Sequence, residues 1–225
     1  MLVYRYFNES HGLQALQQRK WKIGRLLELN DPLDCQPVLM RGDFSHPVPA
    51  SNLPYFTDLF DSIGIICYSE SINDPVIWSH YADCHRGLSF GFEFEPTDGL
   101  FKVEYPENEM RAQLDFDILT SLQQTSAEEA VLKVVQNGFT KKAKSWEYER
   151  EHRHFIRLSG CEMIGQHYFR QIPLASLRRI VIGVNSRITV SDIRRIKSLW
   201  KIPIECTITK ARIDPRSYRI GVDHE

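Results

Sequence analysis

Trp78, His80, Tyr81, Asp83, His85 and Arg86 crowd six chemically capable side chains into nine residues. The next stretch, 88–94, alternates apolar residues with Ser, Gly and Glu, the pattern of a half-buried strand. A polar, aromatic segment that runs through Gly87 into a strand sets reactive groups at a sheet edge. His80 and Asp83 lie three apart, so on a helical turn the carboxylate can orient the imidazole for proton transfer. The same segment also reads as a capped helix with a polar surface.

A second cluster comprises Glu147, Glu149, Glu151 and Arg153. On a strand these four share a face, with Trp146, Tyr148, Arg150, His152 and His154 on the other. On a helix Glu147 would pair with Glu151, and Glu149 with Arg153, at i,i+4. The aromatic content favours a strand. Crowded carboxylates repel, which raises the apparent pKa of at least one unless a cation or substrate offsets the charge. The third candidate is Arg5, set between Tyr4 and Tyr6; a lone arginine there also reads as half of a structural ion pair.

Other chemistries find less purchase. His80, His85, His152 and His154 with nearby acids are conceivable zinc or manganese ligands. Yet His80 and His85 are five apart and face different sides of a helix, and neither H-E-x-x-H nor a C-x-x-C pair occurs, so no metal is expected. Phosphate-cradling glycine loops and a G-x-S-x-G elbow are missing. Cys67 or Cys84 as a nucleophile rests only on nearby histidines.

The elements that must position these groups follow from pattern. Residues 2–7 are β-prone, 12–19 amphipathic, 21–27 strand-like, and 29–34 form an Asn/Asp/Pro turn. A proline-bearing, mostly irregular excursion is expected over 35–56. Residues 63–69 are an apolar buried strand, and 101–105 are expected to pair with 88–94 as a hairpin. Helical spacing runs over 111–124, and Ser126 with Glu129 makes a capping box for a helix reaching about 144. Strand 179–184 follows, then a second capping box, Thr189 with Asp192, opens a helix through Trp200. Strands at 202–208, 209–213 and 218–222 close the chain.

The 225 residues are 42% hydrophobic, enough to bury one sizeable core without splitting into two. A formal charge of −1 supplies no global field toward nucleic acid or an anionic membrane. Five scattered cysteines suggest a reducing compartment rather than a disulfide framework. With Arg5 inside the first ten residues and no long apolar run, a soluble, cytoplasmic protein without membrane contact is expected. The fold class expected is α+β: one domain over 1–225, with a central mixed or antiparallel sheet and flanking helices.

Four motifs carry a resemblance across most of the chain. They are Tyr4-Arg5-Tyr6; Leu29-Asn30-Asp31-Pro32-Leu33-Asp34; Gly64-Ile65-Ile66-Cys67-Tyr68-Ser69 leading into Trp78-Ser79-His80-Tyr81-Ala82-Asp83 and 87–92; and Lys144 with Trp146, Tyr148, Glu149, Glu151 and Arg153. In order and spacing they resemble a bacterial family known as domain of unknown function 2971, a name that implies no activity. Its layout is in turn similar to that of the ADP-ribosyltransferases, an analogy at the level of fold. That analogy implies NAD as a substrate and a role in defence or as a toxin. Arg5 would contact the ribose or phosphates, Ser69 would support the site, and Trp78 or Tyr81 would flank the nicotinamide. Glu151, preceded by Glu149, would act, with His80 nearby. Phe7 stands where the family analogy wants Ser or Thr, and His152 and Arg153 adjoin Glu151. The rival readings are a metal-dependent nuclease or phosphoesterase using Glu149, Glu151, His80 and His85, and a non-enzymatic regulator.

Overall fold

The computed structural model describes residues 1–40, 48–49, 60–108, 110–115, 134–200 and 202–222. Ten strands form one sheet, labelled here in chain order. They are β1 (Leu2–Phe7), β2 (Lys20–Arg25), β3 (Ile63–Ser69), β4 (Leu88–Glu93), β5 (Leu100–Lys102), β6 (Glu151–Arg157), β7 (Glu162–Ile164), β8 (His167–Gln171), β9 (Leu177–Ile182) and β10 (Thr207–Lys210). The main path runs β7-β8-β2-β3-β1-β4-β9-β10, with β6 on β3 and β5 on β6. All pairings in it are antiparallel except β9 with β10. The fold class is α+β, as the patterns required.

β1 is bonded along its whole length to β4, from Leu2↔Glu93 to Phe7↔Leu88. Its other edge meets β3 at Tyr4↔Ser69. β2 meets the beginning of β3, at Gly24↔Ile65 and Arg25↔Gly64. β1 and β2 therefore diverge from a shared neighbour, and a wedge opens between them over the middle of β3.

Period-two alternation assigns the two faces of β1. Val3 and Phe7 enter a core with Leu16, Trp21, Phe90, Phe92, Ile180 and Ile193, which joins helix α1 (Glu9–Gln18) and the late helix Val190–Trp200 to the sheet. Tyr4 and Tyr6 face a second core with Trp78 and Val181. A third core, with Phe60, Ile65, Leu114, Val135 and Phe139, lies by the first half of β3. Here α2 denotes Pro75–Tyr81, and α3 Val190–Trp200.

Local signals hold where they are capping signals. Thr189 and Asp192 exchange hydrogen bonds as a capping box at the start of α3. Asp31 caps its own turn by accepting from Leu33 N at 2.9 Å. Three expectations are corrected. Residues 100–102 pair with β6 rather than β4, because the main-chain groups of β4 are already taken by β1 and β9. Residues 113–115 are a short strand beside Val38–Met40, not helix; the rest of the 111–124 segment and the Ser126/Glu129 box lie outside the described residues. Lys144–Glu149 is a 3-10 helix, and only from Glu151 does the segment become a strand. Arg150 makes the break by taking a left-handed φ of 45°.

Candidate functional site

In the wedge lies a hollow of about 240 Å³ lined by β1, β3, α2 and the acidic segment, among them Arg5, Ser69, Tyr81, Lys142, Glu149 and Glu151. It opens toward a wider cavity of about 830 Å³ that shares Arg5, Tyr6, Gly24 and Tyr81 with it and adds His80, Lys20 and Lys22.

α2 brings Tyr81 to the hollow. Asp74 caps the helix by accepting from Val76 N and Ile77 N, and Pro75 at the first turn has no amide to satisfy. Trp78 anchors it: fully buried, it donates from Nε1 to Ile72 O at 2.7 Å and meets the Tyr6 ring edge-on at 5.1 Å. The helix stops on three consecutive left-handed residues, Asp83, Cys84 and His85. Gly87 then passes so close to β1 that a Cβ there would lie 1.9 Å from Phe7 O.

The floor of the hollow is a buried ion network. Arg153, wholly buried on β6, donates through Nε to Glu151 Oε1 at 2.8 Å and through Nη2 to Glu151 Oε2 at 2.9 Å. Nη2 also reaches both oxygens of Asp34 at 2.7 Å, and Nη1 donates to Phe139 O at 2.8 Å. Lys142 Nζ sits between three carboxylates, at 2.6 Å from Glu149, 3.2 Å from Glu151 and 3.4 Å from Asp34. The Trp146 ring covers that ammonium at 4.7 Å, and the indole N–H is fixed by Asp31 at 2.8 Å. Tyr81 donates to Glu149 Oε1 at 2.5 Å.

These contacts set the two glutamates apart. Burial pushes the Glu151 carboxyl up, but Arg153 and Lys142 overcome it and hold its pKa down to about 2. Burial raises Glu149, only partly opposed by Lys142 and reinforced by Glu151. Burial also opposes the charge on Lys142, yet Glu151, Asp34 and Glu149 outweigh it and keep its pKa above the ordinary lysine value. Tyr81 is raised by burial and then by the Glu149 charge beside it, so it stays a donor.

The residues singled out in the sequence are distributed as follows. Arg5, Ser69, Tyr81, Glu149 and Glu151 line the one hollow. Ser69 donates to the Glu149 carbonyl at 2.5 Å, tying the 3-10 segment to β3. His80 lines the outer cavity, with Nδ1 at 3.1 Å from the Tyr148 hydroxyl. Trp78 does not reach the hollow; its indole is spent in the core beneath α2. Lys142 and Asp34 join the site without a local signal in the sequence. Asp34 stood in a quoted motif and Lys142 two positions before Lys144, which is itself on the surface with Glu107 and Glu147. Among the described residues no three His, Cys, Asp or Glu are arranged to hold a metal ion.

Arg5 is the other charged group here. Its Nη2 donates to Lys22 O at 2.8 Å and its guanidinium lies 4.5 Å from the Trp21 ring centroid and 5.2 Å from that of Phe7. Nη1 is shut off from solvent without a hydrogen-bond partner. Burial lowers its pKa, and no carboxylate pairs with it among the described residues. Among the described residues its charge is therefore left without an anionic partner.

No helix among the described residues is long and apolar enough to cross a membrane. No curated protein and no solved structure matches the chain. Residues 77–154 match the profile of the family described as Protein of unknown function (DUF2971). That stretch begins at Ile77 in α2 and ends at His154 in β6, so the match takes in Tyr81, Lys142, Glu149, Glu151 and Arg153.

Proposed function

We propose that the chain binds NAD and cleaves its nicotinamide–ribose bond, passing the ADP-ribosyl group to water or to an acceptor. The observation that carries this reading is the convergence of Arg5, Ser69, Tyr81, Glu149 and Glu151 on one hollow. That bond breaks with its electron pair leaving on nicotinamide, so positive charge builds on the ribosyl carbon. A carboxylate close by stabilises it, as in glycoside hydrolysis. Glu149 suits that part better than Glu151. Both oxygens of Glu151 are occupied by Arg153 and Lys142, whereas each Glu149 oxygen has a single donor. The raised pKa of Glu149 also makes it the better acceptor of the proton shed by the incoming hydroxyl. Arg5 supplies charge for the pyrophosphate, and the outer cavity of about 830 Å³ has room for the adenylate portion.

The test is binding followed by turnover. NAD at a hundred times Kd should stabilise the fold by ~2.7 kcal/mol, a rise in Tm of roughly 5–10 °C. Free nicotinamide should accumulate with the wild type and not with Glu149→Gln, which should remain folded. Neither a Tm shift nor nicotinamide release at millimolar NAD would end this reading, and stabilisation by divalent metal in place of NAD would favour a metal-dependent phosphoesterase.

A further inference from the structure

We infer that the inner hollow is a receptor for a flat organic cation, a pyridinium ring being the type, because the ion network at its floor is one positive charge short. Among the described residues, Asp34, Glu149 and Glu151 face Lys142 and Arg153, three carboxylates against two cations, all of them buried. The inference deepens the reading above and rests on the hollow being a ligand site; it does not need the bond cleavage.

The surplus charge falls on Glu149. Arg153 is shared by Asp34 and Glu151, and each of its three nitrogens is spoken for within the network or by Phe139 O. Lys142 is divided among all three acids. Two things can relieve Glu149: a proton or a cation. The hydrogen-bond directions favour the cation. Asn30 Nδ2 donates to the Tyr81 hydroxyl at 3.4 Å, so that hydroxyl spends its own proton on Glu149 Oε1, while Lys142 donates to Oε2 at 2.6 Å. Each oxygen thus accepts a hydrogen bond, as both oxygens of an ionised carboxylate do.

The walls suit the same ligand. Tyr4, Tyr6, Tyr68 and Tyr81 all line the hollow, and aromatic faces attract a desolvated organic cation. Arg5 stands where the hollow meets the outer cavity, so the site is polarised, with excess negative charge inside and, at the junction, a cation that meets no carboxylate among the described residues. A ligand cationic at one end and anionic at the other enters such a site in one orientation only.

Two nearly isosteric probes test this without any turnover: the 1-methylnicotinamide cation and neutral nicotinamide. Their Kd values for the full chain are compared by ligand-observed NMR at pH 7.5. The cation should bind at least tenfold more tightly, and Glu149→Gln should erase the difference. Equal affinities, tighter binding of the neutral ring, no binding of the cation at millimolar concentration, or a preference that survives in Glu149→Gln would each overturn the inference. The wild-type comparison decides even if the variant does not fold. Cation preference without nicotinamide release from NAD would leave this inference standing and sink the enzymatic one; release without cation preference would do the reverse.

Discussion

Two residues apart on the chain, Glu149 and Glu151 differ in what donates to them. Glu151 accepts from Arg153 on both oxygens and from Lys142; Glu149 accepts once on each, from Tyr81 and Lys142. The consequence for stability runs in opposite directions. For Glu151 the folded pKa of about 2 lies below the ordinary 4.5, so its contribution is present above about 4.5 and is lost as pH falls toward 2. For Glu149 the folded pKa is raised, so its contribution is present at low pH and lost as pH rises through that pKa. Denaturation midpoints measured between pH 6 and pH 2 should therefore fall below about 4.5, and Glu151→Gln should flatten that decline. The same substitution removes one of the two buried carboxylates that Arg153 meets, leaving it Asp34 alone, which costs up to about 3–5 kcal/mol by urea titration. Glu149→Gln, which leaves Arg153 fully paired, should cost much less.

At the scale of elements, the position of Tyr81 depends on how α2 is joined to β4. The left-handed turn over Asp83, Cys84 and His85 lets the chain reverse within a few residues, and Gly87 then grazes β1. In Gly87→Ala the new Cβ would meet Phe7 O and Ala82 O, backbone atoms that cannot swing aside. A loss of about 3 kcal/mol or more follows, together with displacement of α2. Gly160→Ala is the control, since nothing lies within 4 Å of a Cβ there. Chemical denaturation of the two variants separates the outcomes, and equal stabilities would refute the role assigned to Gly87. The acidic segment shows the same principle from the other side. A uniform strand over 146–157 would alternate Glu149 and Glu151 with their neighbours in a single plane. The 3-10 turn closed by Arg150 instead folds Glu149 back toward α2, where Tyr81 meets it.

Across the whole molecule, one sheet touches all three apolar cores: β1 contributes to two of them and β3 to two. Because no core can be lost without exposing a face of strands shared with another, unfolding should be a single cooperative transition. Far-ultraviolet dichroism and tryptophan fluorescence should then give coincident midpoints in urea. Separate midpoints would show that the half of the sheet around β6 melts independently of the half around β4.

The sequence by itself determined the elements whose signals are local. β-Propensity marks β1, a continuous apolar run β3 and alternation β4, and the Thr189/Asp192 exchange marks the start of α3, because side chain and backbone there interact within a few residues. It also named Arg5, Tyr81, Glu149 and Glu151, as charged and aromatic residues clustered in short runs, and Ser69 through the resemblance to the ADP-ribosyltransferases; all five line the hollow. What the tertiary structure decided is non-local. Residues 100–102 pair with β6 because β4 has both edges occupied. A lysine pattern gives no sign that Lys142 is buried and Lys144 only half-buried, as that follows from three acids brought from distant segments around one ammonium. Trp78 beside His80 read as a ligand wall, yet a large apolar ring gains most from the interior, and the core behind Tyr6 took it.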